Sequence, residues 1–323
     1  MLPRLTKFDV VVVGGGPAGC QCALWLKQLD FVPCIIEKHE KIGGLFRDSP
    51  YPEKWTSIVQ AGIAGTELAK QMHKTIENNN ICCFFNCTVV DVDVVNSHYS
   101  VGVRDINNLE LTIEAPYLVV ATGAMPKAGQ FLPNERIILG PSFNVYTQDF
   151  QGKRVAIFGG GDNAFENYYF VRSKGAAIVN IYARSIRASK RFLDSAPVEN
   201  VFLGDFSLKN DMQVGNQQYD IFIVMYGWEP SISFLDKFNL ERDNRGYIKT
   251  ALHTAETSIQ NIYAIGEVAN RMHPCCVTSL ADGVVAAKAI QKKIEAGVCQ
   301  DFMKRVLEKH SVVAIPNGAQ MDE

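Results

Sequence analysis

Val10-Val11-Val12-Val13-Gly14-Gly15-Gly16-Pro17-Ala18-Gly19 is the stretch that decides how this chain folds. Four consecutive valines read as a strand covered on both faces, because an unbroken β-branched run suits the interior of a parallel sheet. The glycines turn that strand sharply into a helix. Gly14 serves the turn, Gly16 lets backbone approach a pyrophosphate, and Gly19 lets helix and strand pack closely. Pro17 and Ala18 open the helix, whose free N–H groups and partial positive charge favour phosphate. A second strand, Cys34-Ile35-Ile36, completes a right-handed βαβ unit and runs into Glu37-Lys38. Glu37 stands where a carboxylate accepts hydrogen bonds from a nucleotide's ribose.

The same grammar returns later in the chain. Val155-Ala156-Ile157-Phe158 runs into Gly159-Gly160-Gly161-Asp162-Asn163-Ala164, then a helix to about Ser173 and a strand at Ile178-Val179-Asn180-Ile181. Here the strand ends in Tyr182-Ala183-Arg184, without an acid, and Arg187, Lys190 and Arg191 follow. Arginine pairs with a 2′-phosphate where an acid would bind a free 2′-hydroxyl, so this turn favours NADPH over NADH. Asp162 also suits the positive end of its helix. A chain with two dinucleotide cradles is expected to pass electrons from one nucleotide cofactor to another.

Around these units lie Gly43-Gly44-Leu45, a Pro-rich turn at Ser49-Pro50-Tyr51-Pro52, and a helix near 66–78. Alternating stretches at 88–95, 99–104 and 109–114 read as an antiparallel insert. The strand Tyr117-Leu118-Val119-Val120 ends in Ala121-Thr122-Gly123. Further strands are expected at 220–224 and at Tyr263-Ala264-Ile265, which ends in Gly266-Glu267. A helix from about Thr278 to Ala296 and a second helical stretch near 300–309 follow. The expected fold is α/β, with two Rossmann-like dinucleotide-binding domains, the second inserted in the first. Residues 1–121 and 248–323 would form the outer domain and 122–247 the insert.

Bulk properties narrow the function. Of 323 residues, 47% are hydrophobic and 20% charged, enough for a sizeable core, and the net charge of −2 offers no broad basic face for nucleic acid. No apolar run approaches the ~20 residues of a membrane span. Met1-Leu2-Pro3-Arg4-Leu5-Thr6-Lys7 leads straight into the first strand, so a cytoplasmic location without a secretory signal is expected. The nine cysteines include no Cys-x-x-Cys pair. They read as reduced, mostly buried thiols, with no metal site expected.

Gly14–Gly19, Gly43-Gly44, Ala121-Thr122-Gly123, Gly159–Ala164 and Ala264-Ile265-Gly266-Glu267 occur in an order that resembles the thioredoxin reductase-like flavoproteins. The resemblance implies FAD in the outer domain, NADPH in the insert, and a homodimer. Thioredoxin reductases proper carry Cys-Ala-Thr-Cys before the second glycine turn, whereas this chain reads Pro141-Ser142-Phe143-Asn144-Val145-Tyr146-Thr147. Disulfide exchange needs a thiolate and a resolving partner, so that route is closed. The chain is similar in further respects to ferredoxin–NADP reductases of the thioredoxin reductase-like type. Tyr51-Pro52-Glu53-Lys54 matches a segment whose tyrosine stacks on the isoalloxazine. His310-Ser311 matches a C-terminal pair that covers the other flavin face from the partner subunit. The helix starting near Thr278 would aim its N-terminus at the flavin's pyrimidine edge. Two departures stand out: Glu267 replaces the usual aspartate, and Tyr182-Ala183-Arg184 replaces His-Arg-Arg.

The implied activity is NADPH-linked electron transfer through FAD to a ferredoxin or flavodoxin, in either direction. Two alternatives stay open. One is a low-molecular-weight disulfide reductase resembling the bacillithiol disulfide reductases, with Cys20 as its thiol. The other is an FAD-binding protein without pyridine-nucleotide turnover. The Phe-x-Gly-x-x-x-His motif of flavin monooxygenases is not found in the sequence.

Overall fold

A computed structural model describes residues 8–49, 62–196, 198–209 and 212–311. Strand β1 (Val10–Val13), helix α1 (Pro17–Gln28) and strand β2 (Pro33–Ile36) form the expected βαβ unit. Helix α2 (Gly65–Asn78) precedes β3 (Cys82–Phe84), and β4 (Cys87–Val95), β5 (His98–Asp105) and β6 (Glu110–Ala115) follow as an antiparallel sheet. The chain returns to the first sheet as β7 (Tyr117–Val120). After β8 (Ala124–Pro126) it builds the second unit: β9 (Ile137–Leu139), α3 (Phe143–Thr147), β10 (Arg154–Phe158), α4 (Asp162–Ser173), β11 (Ile178–Ala183), α5 (Lys190–Leu193) and β12 (Val201–Leu203). A small meander of β13 (Leu208–Lys209), β14 (Gln213–Val214) and β15 (Gln217–Gln218) leads into β16 (Ile221–Val224). Then come β17 (Trp228–Pro230), β18 (Ile262–Ala264) and α6 (Cys276–Ser311).

Two five-stranded parallel sheets organise the molecule, in the orders β18-β7-β1-β2-β3 and β12-β11-β10-β16-β9. The valine run explains the first. Val10 and Val12 pack on α1 and α6 through Ala23, Leu26, Ala286 and Ile290, while Val11 and Val13 pack on the antiparallel sheet through Val92, Val101 and Val103. Both faces are thus covered, and each buried valine contributes roughly 1.5–3 kcal/mol. The second sheet repeats the division. Val155 and Ile157 face α4 through Phe165 and Val171, and Ala156 and Phe158 face an aromatic cluster of Phe131, Tyr182, Tyr219 and Phe222.

Between the sheets, β8 and β17 pair antiparallel, Met125 opposite Glu229. Ile232, Leu235 and Leu240 then join the first core beside Val92 and Ile248. The C-terminal helix differs from expectation. The two stretches read at 278–296 and 300–309 are one continuous helix, α6. Gly297 sits inside it with nothing among the described residues within 4 Å of where a Cβ would lie, and one interior glycine costs only about 1 kcal/mol.

Candidate functional site: two nucleotide cradles

Each cradle begins where a β-strand meets a left-handed glycine. Gly14 has φ +110°, and a Cβ there would lie 2.4 Å from the Ala121 carbonyl oxygen at the end of β7. Gly159 has φ +148°, and its Cβ would lie 2.4 Å from the Met225 carbonyl oxygen beyond β16. The same steric demand is met twice, at the carboxyl ends of two parallel sheets, where α/β folds bind ligands.

In the first cradle Gly16 caps α1 in an extended conformation and Pro17 occupies the opening turn. Among the described residues no atom beyond its chain neighbours stands closer than 3.8 Å to a Cβ built on Gly16, so the face above it is open to a phosphate. The buried Glu37 accepts the Gly15 N–H at 2.7 Å through Oε2 and the His39 N–H at 3.0 Å through Oε1. That pins the acid at the mouth of the turn. Lys38 and Leu45 are exposed beside it, Gly44 reaches back toward Gly16, and Thr122 carries a buried hydroxyl without a partner among the described residues.

The second cradle differs at the position of that acid. A Cβ on Gly160 would lie 2.0 Å from the Ser185 carbonyl oxygen, and the Arg187 N–H donates to the Gly160 carbonyl at 2.7 Å. Backbone of the 185–189 loop therefore closes the space that a carboxylate occupies in the first. Asp162 holds the same loop, accepting the Ser189 N–H at 2.6 Å, and so presents no free acid to a phosphate. Gly161 caps α4 with nothing among the described residues within 4 Å of a Cβ, and Asn163 and the buried Ala164 continue the first turn. Tyr182 is turned into the core: its hydroxyl pairs with that of Tyr219 at 2.7 Å and its ring stacks on Phe202 at 5.1 Å. Arg184 and Arg187 stay exposed; neither guanidinium has a hydrogen-bond or ion-pair partner among the described residues, and Arg184 has Tyr226 as an electrostatic neighbour.

A family model, pyridine nucleotide-disulphide oxidoreductase, matches residues 8–199 and 203–289, which takes in both cradles. The chain belongs to that family. A thioredoxin reductase of Streptomyces coelicolor is 24% identical, covering 86% of this chain and 91% of its own length. A ferredoxin–NADP reductase of Limosilactobacillus fermentum is 26% identical, over 81% of this chain and 86% of its own. The bacillithiol disulfide reductase of Bacillus cereus shares the fold at TM-score 0.74 and 18% identity, over 89% of this chain and 100% of that structure.

FAD and NADPH are the cofactors of the pyridine nucleotide-disulphide oxidoreductases, and the residues present fit them. The orphaned Thr122 hydroxyl, the open Gly16 and the fixed Glu37 suit FAD in the first turn. The open Gly161 and the two exposed arginines suit a phosphorylated nucleotide in the second. What the family name does not fit is the sulphur. In the stretch where the resemblance to thioredoxin reductases would imply a cysteine pair, residues 143–147 form the short helix α3 without a cysteine. Cys20 is buried, its thiol donates to the Gly15 carbonyl at 3.3 Å, and burial raises its pKa well above the ordinary thiol value. A buried neutral thiol is a poor nucleophile.

At the other end of the first cradle, Gly266 and Glu267 follow β18 in a tight 3-10 turn. Glu267 is half-buried with no hydrogen-bond or ion-pair partner among the described residues, and burial raises its pKa. Thr278 closes the turn before α6: its hydroxyl donates to the His273 carbonyl at 2.7 Å and accepts the Cys275 N–H at 3.2 Å. Tyr51 lies outside the described residues. His310 and Ser311 end α6, and their side chains lie outside what the structure describes. Sequence reasoning missed Arg271 and Asp282, a buried pair whose Asp282 accepts the Gly266 N–H at 3.1 Å. An arginine and an aspartate eleven residues apart carry no motif, and only the turn between them brings them together.

Proposed function

We propose that this oxidoreductase passes electrons from NADPH through FAD to a ferredoxin or flavodoxin, or the reverse, without a redox disulfide. One observation carries the reading: both nucleotide cradles are built, while the stretch where a redox pair would sit is a cysteine-free helix. The relative named ferredoxin–NADP reductase supports the choice of partner. FAD, when bound, exchanges two-electron for one-electron chemistry.

The chain's own residues have separable tasks in this reading. The α1 N-terminus and Gly14, Gly16, Pro17, Ala18 and Gly19 receive the FAD pyrophosphate. Glu37 accepts from its ribose, and Glu267 accepts from the ribitol. Ala121, Thr122 and Gly123 line the approach at the end of β7. The α4 N-terminus with Gly159, Gly161, Asn163 and Ala164 receives the NADPH pyrophosphate, and Arg184 and Arg187 pair with its 2′-phosphate. Tyr51 and the pair His310-Ser311 cover the flavin and exclude water, the latter pair from the partner subunit of a homodimer. FAD goes with the outer domain of residues 1–121 and 248–323, and NADPH with the insert of residues 122–247.

The test is anaerobic mixing of the FAD-loaded protein with NADPH and with NADH. NADPH bleaches the flavin absorbance and NADH does so far more slowly; subsequent ferredoxin or flavodoxin restores it, before and after alkylation of the exposed thiols. Failure to bleach with either nucleotide favours the binding protein without turnover. Loss of transfer on alkylation favours a thiol route.

A further inference from the structure

Arg271 and Asp282 are each 4% exposed and face one another, Arg271 Nη1 donating to Asp282 Oδ1 at 2.8 Å. The second carboxylate oxygen, Oδ2, accepts the Gly266 N–H at 3.1 Å. Arg271 Nη2 also donates to the Ala251 carbonyl at 3.4 Å and to the Leu252 carbonyl. One buried carboxylate therefore ties together α6, the loop at 251–252 and the turn that carries Glu267.

We propose that the Arg271–Asp282 pair positions the FAD site, Asp282 fixing the Gly266 amide so that Glu267 is aimed at the flavin's ribitol. The inference rests on the assignment of FAD to the first cradle. Stability alone does not account for the pair. Burying two charges costs more than their attraction returns in many proteins, and well-packed apolar side chains often serve as well or better. Geometry supplies another reason for it. The two oxygens of Asp282 have different partners, one ionic and one a backbone amide, and the amide is that of the residue preceding Glu267. Glu267 has no hydrogen-bond or ion-pair partner among the described residues, Tyr247 being only an electrostatic neighbour, so its direction depends on the backbone of the turn. The Arg271 guanidinium keeps Asp282 charged and stationary, since removal of that cation would leave a buried anion without compensation. Burial raises the pKa of Asp282 on balance, and Arg271 and the Gly266 amide oppose that rise in part.

Two variants test the device in the full-length protein: Asp282→Asn, and the double variant Arg271→Met with Asp282→Leu, which refills the volume without charge. FAD and NADPH affinities are measured by titration calorimetry of the FAD-free chain, and the unfolding midpoint by thermal denaturation. The expected result is FAD binding weakened about tenfold in both variants, the scale of one lost charge-assisted hydrogen bond, with NADPH affinity unchanged. The double variant is expected to keep the wild-type unfolding midpoint. Wild-type FAD affinity in the variants would overturn the proposal. So would a parallel loss of FAD affinity, NADPH affinity and folding, which assigns the pair to structure alone. A wild-type chain that binds no FAD would instead sink the cofactor assignment, a different failure with a different signature.

Discussion

At Glu267 a carboxyl is held half out of water with no described donor, and its pKa is raised by that burial. The folded state then binds its proton more tightly than the unfolded chain. The resulting cost to stability is absent below the ordinary glutamate value of 4.5, grows as pH rises through the raised value, and is complete above it. Glu267→Gln should therefore raise the melting temperature of the FAD-free protein at neutral pH, the gain fading as pH falls below that ordinary value. The same variant should bind FAD about tenfold more weakly, because the charged acceptor proposed for the ribitol is gone. Calorimetric melting across pH, with and without FAD, checks both halves; a gain independent of pH would contradict the burial argument. The second glycine turn offers a matched pair. Gly161→Ala meets nothing among the described residues within 4 Å and should melt like the wild type while raising the KM for NADPH, because the new methyl occupies the approach proposed for the phosphate. Gly160→Ala drives a methyl against the Ser185 carbonyl, 2.0 Å away, and should lower stability by about 1–3 kcal/mol or more. Thermal melts and steady-state kinetics of the two separate the fold's demand from the cofactor's.

Among the elements, what could be read from the sequence follows from length and periodicity. The valine run and its echo at 154–158 were legible because both sheet faces are apolar, and β4, β5 and β6 because one face alternates. The strands at 137–139 and 201–203 hold three residues each, too few for a period of two to register. Their place in the sheet is set by parallel pairing with β16 and β11, which no local pattern encodes. The site divides the same way. Glu37 and the glycines announced themselves by spacing, while Asp282 acts across a fold and Tyr182 declares its inward orientation only through Tyr219. The crossing of α1 and α6 was equally hidden. A Cβ on Gly283 would lie 2.6 Å from the Ala18 carbonyl oxygen and 2.8 Å from the Cys22 nitrogen, so the two helices meet backbone to backbone. Gly283→Ala must push them apart at the residue next to Asp282 and beside the α1 N-terminus. A loss of about 1–3 kcal/mol in denaturant unfolding is expected, accompanied by weaker FAD binding. An unchanged FAD affinity would mean that the crossing leaves the cradle untouched.

For the molecule as a whole, the end of α6 is the feature least explained by a single chain. Val298, Phe302, Met303, Val306 and Leu307 are exposed along its last turns, Phe302 at 59% and Leu307 at 70%. Spacings of four residues set Val298, Phe302 and Val306 on one side, with Met303 and Leu307 adjoining. An apolar strip of this kind on a lone protein invites association, and in the proposed homodimer a second copy covers it. The strip immediately precedes His310-Ser311, so the contact that joins two chains would also deliver the flavin's cover. Phe302→Glu with Leu307→Glu puts like charges into that contact. Size exclusion with light scattering should then report a dimeric mass for the wild type and a monomeric mass for the double variant. The monomer should still bind FAD and be bleached by NADPH, since both cradles belong to one chain. Its flavin, no longer shielded on one face, should reoxidise in air faster than that of the wild type. A wild-type monomer at micromolar concentration, or a dimer indifferent to both charges, would remove α6 from the interface and leave the flavin's second face to be covered from within the chain.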